Sequence, residues 1–199
     1  DEGLALFLGA SLLPEVVSLL VTPGARVSLI NESFPGQPSV LLDNRHCVRT
    51  LLDELERRGC RRLLRAGFVN NATPHINESE QLEAFEEFCE ARKLDYRIDC
   101  SGRYPELVRL AKEFGADALL FPDDDSAAHF NAHFQSGVNL PVAGCYGVLT
   151  TESPFPGLLS YRADFEEMGR AAVRQLLLRT SPFQAVRNIR VPGRIQITE

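Results

Sequence analysis

A surplus of positive charge is missing from this sequence. Its 21 lysines and arginines are outnumbered by 27 aspartates and glutamates, giving a formal net charge of −6. Gripping a phosphate backbone needs a basic face. This stretch is therefore not expected to hold nucleic acid by itself, although a basic module joined to it would be compatible with its charge. Long apolar runs are also missing. No stretch reaches the roughly 18 consecutive apolar residues of a membrane-spanning helix, so none is expected. The five cysteines, Cys47, Cys60, Cys89, Cys100 and Cys145, are odd in number and scattered, and no Cys-x-x-Cys occurs. That pattern fits reduced cytosolic thiols and not a disulfide framework. No signal peptide is visible at Asp1-Glu2-Gly3, where the chain starts abruptly, as a processed or missing N-terminus would make it. Also absent are a self-repeat of about 20 to 50 residues and a low-complexity linker.

What is present is an alternation of two patterns. Apolar residues make up 44% of the 199 positions, enough for a full core in one large domain or two small lobes. Short strand-like runs occur at Leu4–Leu8, Arg26–Ile30, Ser39–Leu42, Arg62–Phe68, Tyr96–Ile98, Ala118–Phe121 and Pro141–Tyr146. Amphipathic helix-like runs occur at Leu12–Val21, Cys47–Arg58, Glu80–Arg92, Pro105–Phe114, Ser126–Gln135 and Asp164–Arg179. In the second of these, Val48, Leu51, Leu52 and Leu55 recur at helical spacing before Gly59 ends it. Asn70–Asn77 is polar and reads as a loop, and Asp125 is placed to cap the helix after Phe121. Ile189–Ile197 holds Pro192-Gly193 and reads as a strand pair or a bent edge strand. Strands alternating with helices imply βαβ units and a mostly parallel sheet. In open sheets of that kind, ligands bind at the carboxyl ends of the strands. The chain thus reads as a small-molecule-binding α/β protein.

Signals of catalysis are weak. Asp125, His129 and His133 are spaced i, i+4, i+8, so one helix face presents all three. Paired histidines at that spacing can hold a metal, but the plainer reading is a half-exposed face beginning with a cap. Cys145 stands at a strand's end, where a nucleophile can sit, yet no histidine is close in sequence and packing explains it better. There is no His-Glu-x-x-His, no Gly-x-Ser-x-Gly and no phosphate loop. Gly144-x-x-Gly147 lacks the rest of a dinucleotide fingerprint. The chain is read as a non-enzyme without metal or cofactor.

Four segments together carry a family likeness. Val40-Leu41-Leu42-Asp43-Asn44 is followed by a helix ending in Leu55-Glu56-Arg57-Arg58-Gly59-Cys60. Glu83-Ala84-Phe85 opens the second segment, and Ala118-Leu119-Leu120-Phe121-Pro122-Asp123-Asp124-Asp125 forms the third. The fourth joins Leu140-Pro141-Val142-Ala143-Gly144-Cys145-Tyr146 to Asp164-Phe165-x-x-Met168-Gly169-x-x-Ala172-Val173-x-x-Leu176-Leu177. In order and spacing these segments resemble the effector-binding region of the lactose/galactose repressor family of transcription regulators, which has a periplasmic-binding-protein-like fold. The resemblance implies two lobes of parallel sheet flanked by helices, with ligand in the cleft. One lobe would be residues 1–43 plus 162–188, and the other residues 44–161 plus 189–199. The first lobe is then short, because family members begin it with two further βα units preceded by a helix-turn-helix domain.

By the same resemblance, the ligand-binding positions fall on Phe7, Asn31, Asp43, Asn77, Gln81, Asp124 and Tyr146. Sugar-binding members place an arginine at the position of Gln81, which forks onto hydroxyls, and an aspartate at that of Tyr146. Their asparagine corresponds to Asp124, and a further acid falls on Asn31, beside Glu32. Neutral groups thus replace the charged fork and the main acceptor. The implied function is a cytoplasmic, homodimeric regulator that binds a carbohydrate-like effector and reaches operator DNA through a domain outside this sequence. The different cleft points to an altered ligand, such as an aromatic-stacking sugar or a phosphorylated or nucleoside-like molecule, or to a regulator without effector. A secreted solute-binding protein of a transporter is the rival reading.

Overall fold

The structure is a computed structural model that describes residues 4–8, 26–67, 76–147, 155–178 and 188–197; for residues 4–8, 26 and 76 it describes the backbone only. The helix expected at Leu12–Val21 lies outside the described residues. The chain divides into two compact units, residues 1–43 with 164–192 and residues 44–163 with 193–199.

The first unit is built on four strands, β1 (Leu4–Leu8), β2 (Arg26–Ile30), β3 (Ser39–Leu42) and β9 (Asn188–Val191), in that spatial order and all parallel. Helix α5 (Phe165–Leu178) packs on β2 and β3, burying Met168, Ala171, Ala172 and Leu176 at helical spacing. Asp164 starts it, its Oδ1 accepting from the Glu167 amide at 2.9 Å. Two polar residues buried in this sheet are satisfied by side chains: Ser28 Oγ donates to Gln175 Oε1 at 2.9 Å, and Ser39 Oγ to Asn188 Oδ1 at 2.8 Å.

The second unit carries a six-stranded sheet in the order β10-β8-β7-β6-β4-β5. The strands are β4 (Arg62–Ala66), β5 (Asp95–Asp99), β6 (Ala118–Leu120), β7 (Val142–Tyr146), β8 (Leu159–Arg162) and β10 (Arg194–Ile197). Only β10 runs antiparallel to its neighbour. The chain passes from β4 outward to β5, then returns to β6 on the other side of β4. The sheet therefore has its topological switch between β4 and β6.

Helices cover both faces. Helices α3 (Tyr104–Phe114) and α4 (Asp124–Phe134) pack Leu107, Ala111, Ala127 and Phe130 against Leu64, Ala66, Leu119 and Val142. Strand side chains alternate between faces, so Leu63, Arg65, Leu120, Ala143 and Cys145 point to the opposite side. There α1 (Asn44–Arg57) packs against α2 (Ile76–Arg92). Helix α1 buries Cys47, Val48, Leu51, Leu52 and Leu55. Each of those leucines contributes about 2 kcal/mol of burial free energy. Phe85, Phe88 and Cys89 of α2 are likewise buried, as their spacing predicts.

Several sequence expectations need correcting. Helix α1 begins three residues earlier than expected and α2 four residues earlier, so Ile76 and Asn77 are helical, not loop. Their first turns are polar, but Asn44, Asn77 and Gln81 are buried and bonded, which apolar periodicity cannot reveal. Asp123, not Asp125, caps α4: its Oδ1 accepts from the Ser126 amide at 2.7 Å. Strand β8 was not foreseen. Two of its four residues are Ser160 and Tyr161, whose polar ends are satisfied inside the unit. The C-terminal segment is not a hairpin: Pro192-Gly193 separates β9, which pairs with β3, from β10, which pairs with β8. The strand Asn188–Val191 therefore belongs to the first unit and not to residues 44–161, and the other crossing falls at Ala163-Asp164.

Candidate functional site

The switch between β4 and β6 carries a buried polar group at the carboxyl end of the sheet. Arg65, next to last in β4, is 4% exposed. Gln81, one turn into α2, is 1% exposed. Arg65 Nη2 donates to Gln81 Oε1 at 3.3 Å. Gln81 Nε2 donates to the Pro122 carbonyl at 3.3 Å, just past β6, and to the Tyr146 hydroxyl at 3.0 Å, at the end of β7. One amide thus ties the ends of three parallel strands together. A second set lies one turn earlier on α2. Asn44 Nδ2 donates to Asn77 Oδ1 at 2.8 Å and to Glu80 Oε2 at 3.0 Å.

Two features mark this end as unusual. Tyr146 has φ of 82°, a left-handed conformation that costs a bulky residue strain. The following Gly147 also has positive φ, 67°, and a Cβ there would run into Arg162. Secondly, Arg65 Nε and Asn44 Oδ1 are buried without a hydrogen-bond partner among the described residues. Burial pushes the Arg65 guanidinium down from its ordinary pKa, opposed by the fields of Cys145, Glu78 and Tyr146. Burial raises the Tyr146 phenol, so it stays a neutral donor and acceptor.

The residues expected to bind ligand fall into three places. Asn77, Gln81 and Tyr146 come together in the group just described. Asp124 does not join it. Its Oδ2 accepts from Ser160 Oγ at 2.6 Å, and its Oδ1 has no hydrogen-bond partner among the described residues. It lies under Gly144, where an added Cβ would overlap the carboxylate. Burial pushes the Asp124 carboxyl up to about 7, against the lowering influence of the Ser160 hydroxyl and the Gly147 amide. Phe7, Asn31 and Asp43 belong to the first unit. Phe7 lies in β1, with its side chain outside the description. Asn31 follows β2 with φ of 58°, and Asp43 follows β3, so both stand at the carboxyl end of that sheet.

Arg65 and Asn44 were missed from sequence. A signal existed: a parallel strand covered on both faces reads as a continuous apolar run, and Arg65 interrupts Leu63-Leu64-Arg65-Ala66. Cys145 is fully buried and packs in β7. His129 and His133 have ring centroids 4.6 Å apart, and His129 lies against Tyr104. Among the described residues, no cluster of three or more His, Cys, Asp or Glu is arranged to hold a metal ion. Nor is any described helix long and apolar enough to cross a membrane.

Comparison with known proteins places this architecture. No family model matches the chain, and no curated protein matches it. Solved structures do. The transcriptional regulator CelR in complex with cellobiose superposes with a TM-score of 0.74 at 16% identity over 96% of this chain. The fold is that of the LacI-family regulators. A LacI-family regulator from Enterococcus faecium with bound ribose gives 0.73 at 15% identity, also over 96%. The lac repressor dimer bound to operator and the anti-inducer ONPF gives 0.69 at 18% over 92%. This chain spans 64%, 77% and 68% of those three LacI-type chains respectively. The expected fold class, parallel sheets flanked by helices as in periplasmic-binding-protein-like regulatory domains, is thereby established.

Proposed function

We propose that this chain is the effector-binding and dimerisation region of a transcription regulator. A carbohydrate-like small molecule binds at the carboxyl ends of the second unit's parallel strands and modulates DNA binding by a domain N-terminal to this sequence. The observation that carries this reading is the buried Arg65–Gln81–Tyr146 group, which lies at the switch of an open parallel sheet, the usual ligand position in such folds. The solved relatives with cellobiose, with ribose and with operator support it. The five free thiols are compatible with a cytoplasmic setting. The chain acts by binding, not by turnover: the solved neighbours it resembles are transcription regulators. A ligand alters such a regulator only through different affinities for its DNA-competent and DNA-incompetent states.

The test is a thermal-shift screen of the chain against sugars, sugar phosphates and nucleosides. A ligand at 100 times its Kd stabilises the folded state by about 2.7 kcal/mol. One chemical class is expected to raise the melting temperature, and Gln81→Ala and Tyr146→Ala each to reduce that shift. A chain that no member of the panel stabilises would refute effector binding. Sedimentation equilibrium checks the dimer, and a monomer throughout the micromolar range would contradict that part.

A further inference from the structure

Among the described residues, nothing balances the charge of Arg65. It sits in a strand bonded on both sides, to β5 and to β6, and it is 4% exposed. A guanidinium in that position loses its hydration yet keeps its charge. Buried arginines are ordinarily balanced by a carboxylate at contact distance. The ion pairs among the described residues join surface side chains, such as Arg45 with Glu83 and Glu87, and none includes Arg65. Among the described residues its acceptor is a neutral amide oxygen at 3.3 Å, and its Nε has none. The charge of Glu78, in the first turn of α2, is felt there without a hydrogen bond. The sequence continuing from Gly67 to Ile76 contains no acid, and that from Gly147 to Phe155 contains one, Glu152.

We propose that Arg65 is the receptor for an anionic group, a carboxylate or a phosphate, on the small molecule bound at this end of the second unit. The assignment rests on the effector-binding reading above and narrows the ligand to an acidic or phosphorylated carbohydrate. A guanidinium presents paired donors in a plane that matches two oxygens of either anion. Gln81 and Tyr146, hydrogen-bonded beside it, offer neutral groups suited to hydroxyls. A neutral sugar would leave the buried positive charge unbalanced, whereas an anion would balance it. The buried cation is thus a stability cost that ligand removes.

Matched probes test this. Glucose, galactose and mannose, their uronic acids and their 6-phosphates are titrated into the whole chain and followed by calorimetry and melting temperature, with inorganic phosphate as a bare-anion control. Arg65→Met and Arg65→Lys are compared with the unaltered protein. At least one acidic or phosphorylated sugar is expected to bind more tightly than its neutral parent, and the uronate and phosphate arms show which anion is read. Arg65→Met is expected to weaken that ligand about 100-fold and Arg65→Lys about 10-fold, the fork being lost in both and the charge in one. Without ligand, Arg65→Met melts at or above the parent, because an unbalanced charge has been removed. Binding of a neutral parent alone, or equal weakening of neutral and anionic sugars by Arg65→Met, overturns the anion assignment and leaves effector binding standing. Binding of nothing in the panel overturns both. Arg65→Met melting more than about 5 °C below the parent without ligand, which at this chain length is a substantial loss of stability, shows that Arg65 holds the fold instead and also overturns the assignment.

Discussion

Substituting Asp124→Asn isolates the most strongly perturbed carboxyl in the second unit. Asp124 is 2% exposed, and burial raises its pKa from the ordinary 3.8 to about 7; Asp123 and Asp125 push the same way. An acid raised in this way keeps its proton in the folded chain over a range where the unfolded chain releases it. Its contribution is therefore fully present below the unfolded value and lost as pH rises through the folded one. Each tenfold change in proton affinity is worth about 1.36 kcal/mol. The folded and unfolded pKa values therefore imply a loss of about 2–3 kcal/mol in the stability of the second unit between about pH 5 and about pH 8. Asparagine cannot titrate, and its side-chain oxygen can still accept from Ser160 Oγ. Urea unfolding of both proteins across that range, monitored by a second-unit probe, is the assay. The stability difference between them is expected to change by that amount, with the parent losing ground as pH rises. Two curves that stay parallel within about 0.5 kcal/mol would refute this account of a buried, proton-holding Asp124.

Other substitutions test the local packing. Tyr161 is fully buried; the Gly193 amide donates to its hydroxyl at 2.5 Å, and the hydroxyl in turn lies 2.6 Å from His46 Nδ1. Tyr161→Phe leaves that amide without its partner and is expected to cost about 1–3 kcal/mol by urea unfolding; a neutral result would mean that the β8–β10 junction does not depend on it. Gly144→Ala places a methyl against the Asp124 carboxylate and near the Asp123 carbonyl, so it is expected to destabilise the second unit by about 1–3 kcal/mol, and unchanged melting would contradict the close approach. Glu54 is held down to about 2, first by its hydrogen bond from Arg57 and then by Arg58. Its stabilisation is present above the ordinary value of 4.5 and fades as pH falls toward 2, so Glu54→Gln should differ from the parent at neutral pH and converge with it in acid.

The fold was largely legible because its strands and helices differ in apolar period. β2 and β3 match their expected limits, and the leucines of α1 and the phenylalanines of α2 are buried as their spacing implies. What escaped was polar. Ser160 and Tyr161 disguise β8, since a residue pattern does not show that a hydroxyl will find Asp124 or Gly193 within the unit. The starts of α1 and α2 escaped for the same reason: Asn44 and Asn77 read as loop residues, yet they bond each other in the interior. At the candidate site, Asn77, Gln81 and Tyr146 were reached through resemblance alone. Arg65 was visible as an interruption in an apolar strand, but its burial comes from neighbours far away in sequence, α2 and β6.

Hydrogen exchange of backbone amides, with and without the ligand that the screen returns, tests the central claim most directly. The account predicts added protection at the start of α2 near Gln81, after β6 at Phe121–Asp124, and at the end of β7 around Tyr146. Protection confined to α3 and the far side of α4, or none at any of these three strand ends, would contradict a ligand seated at the switch between β4 and β6.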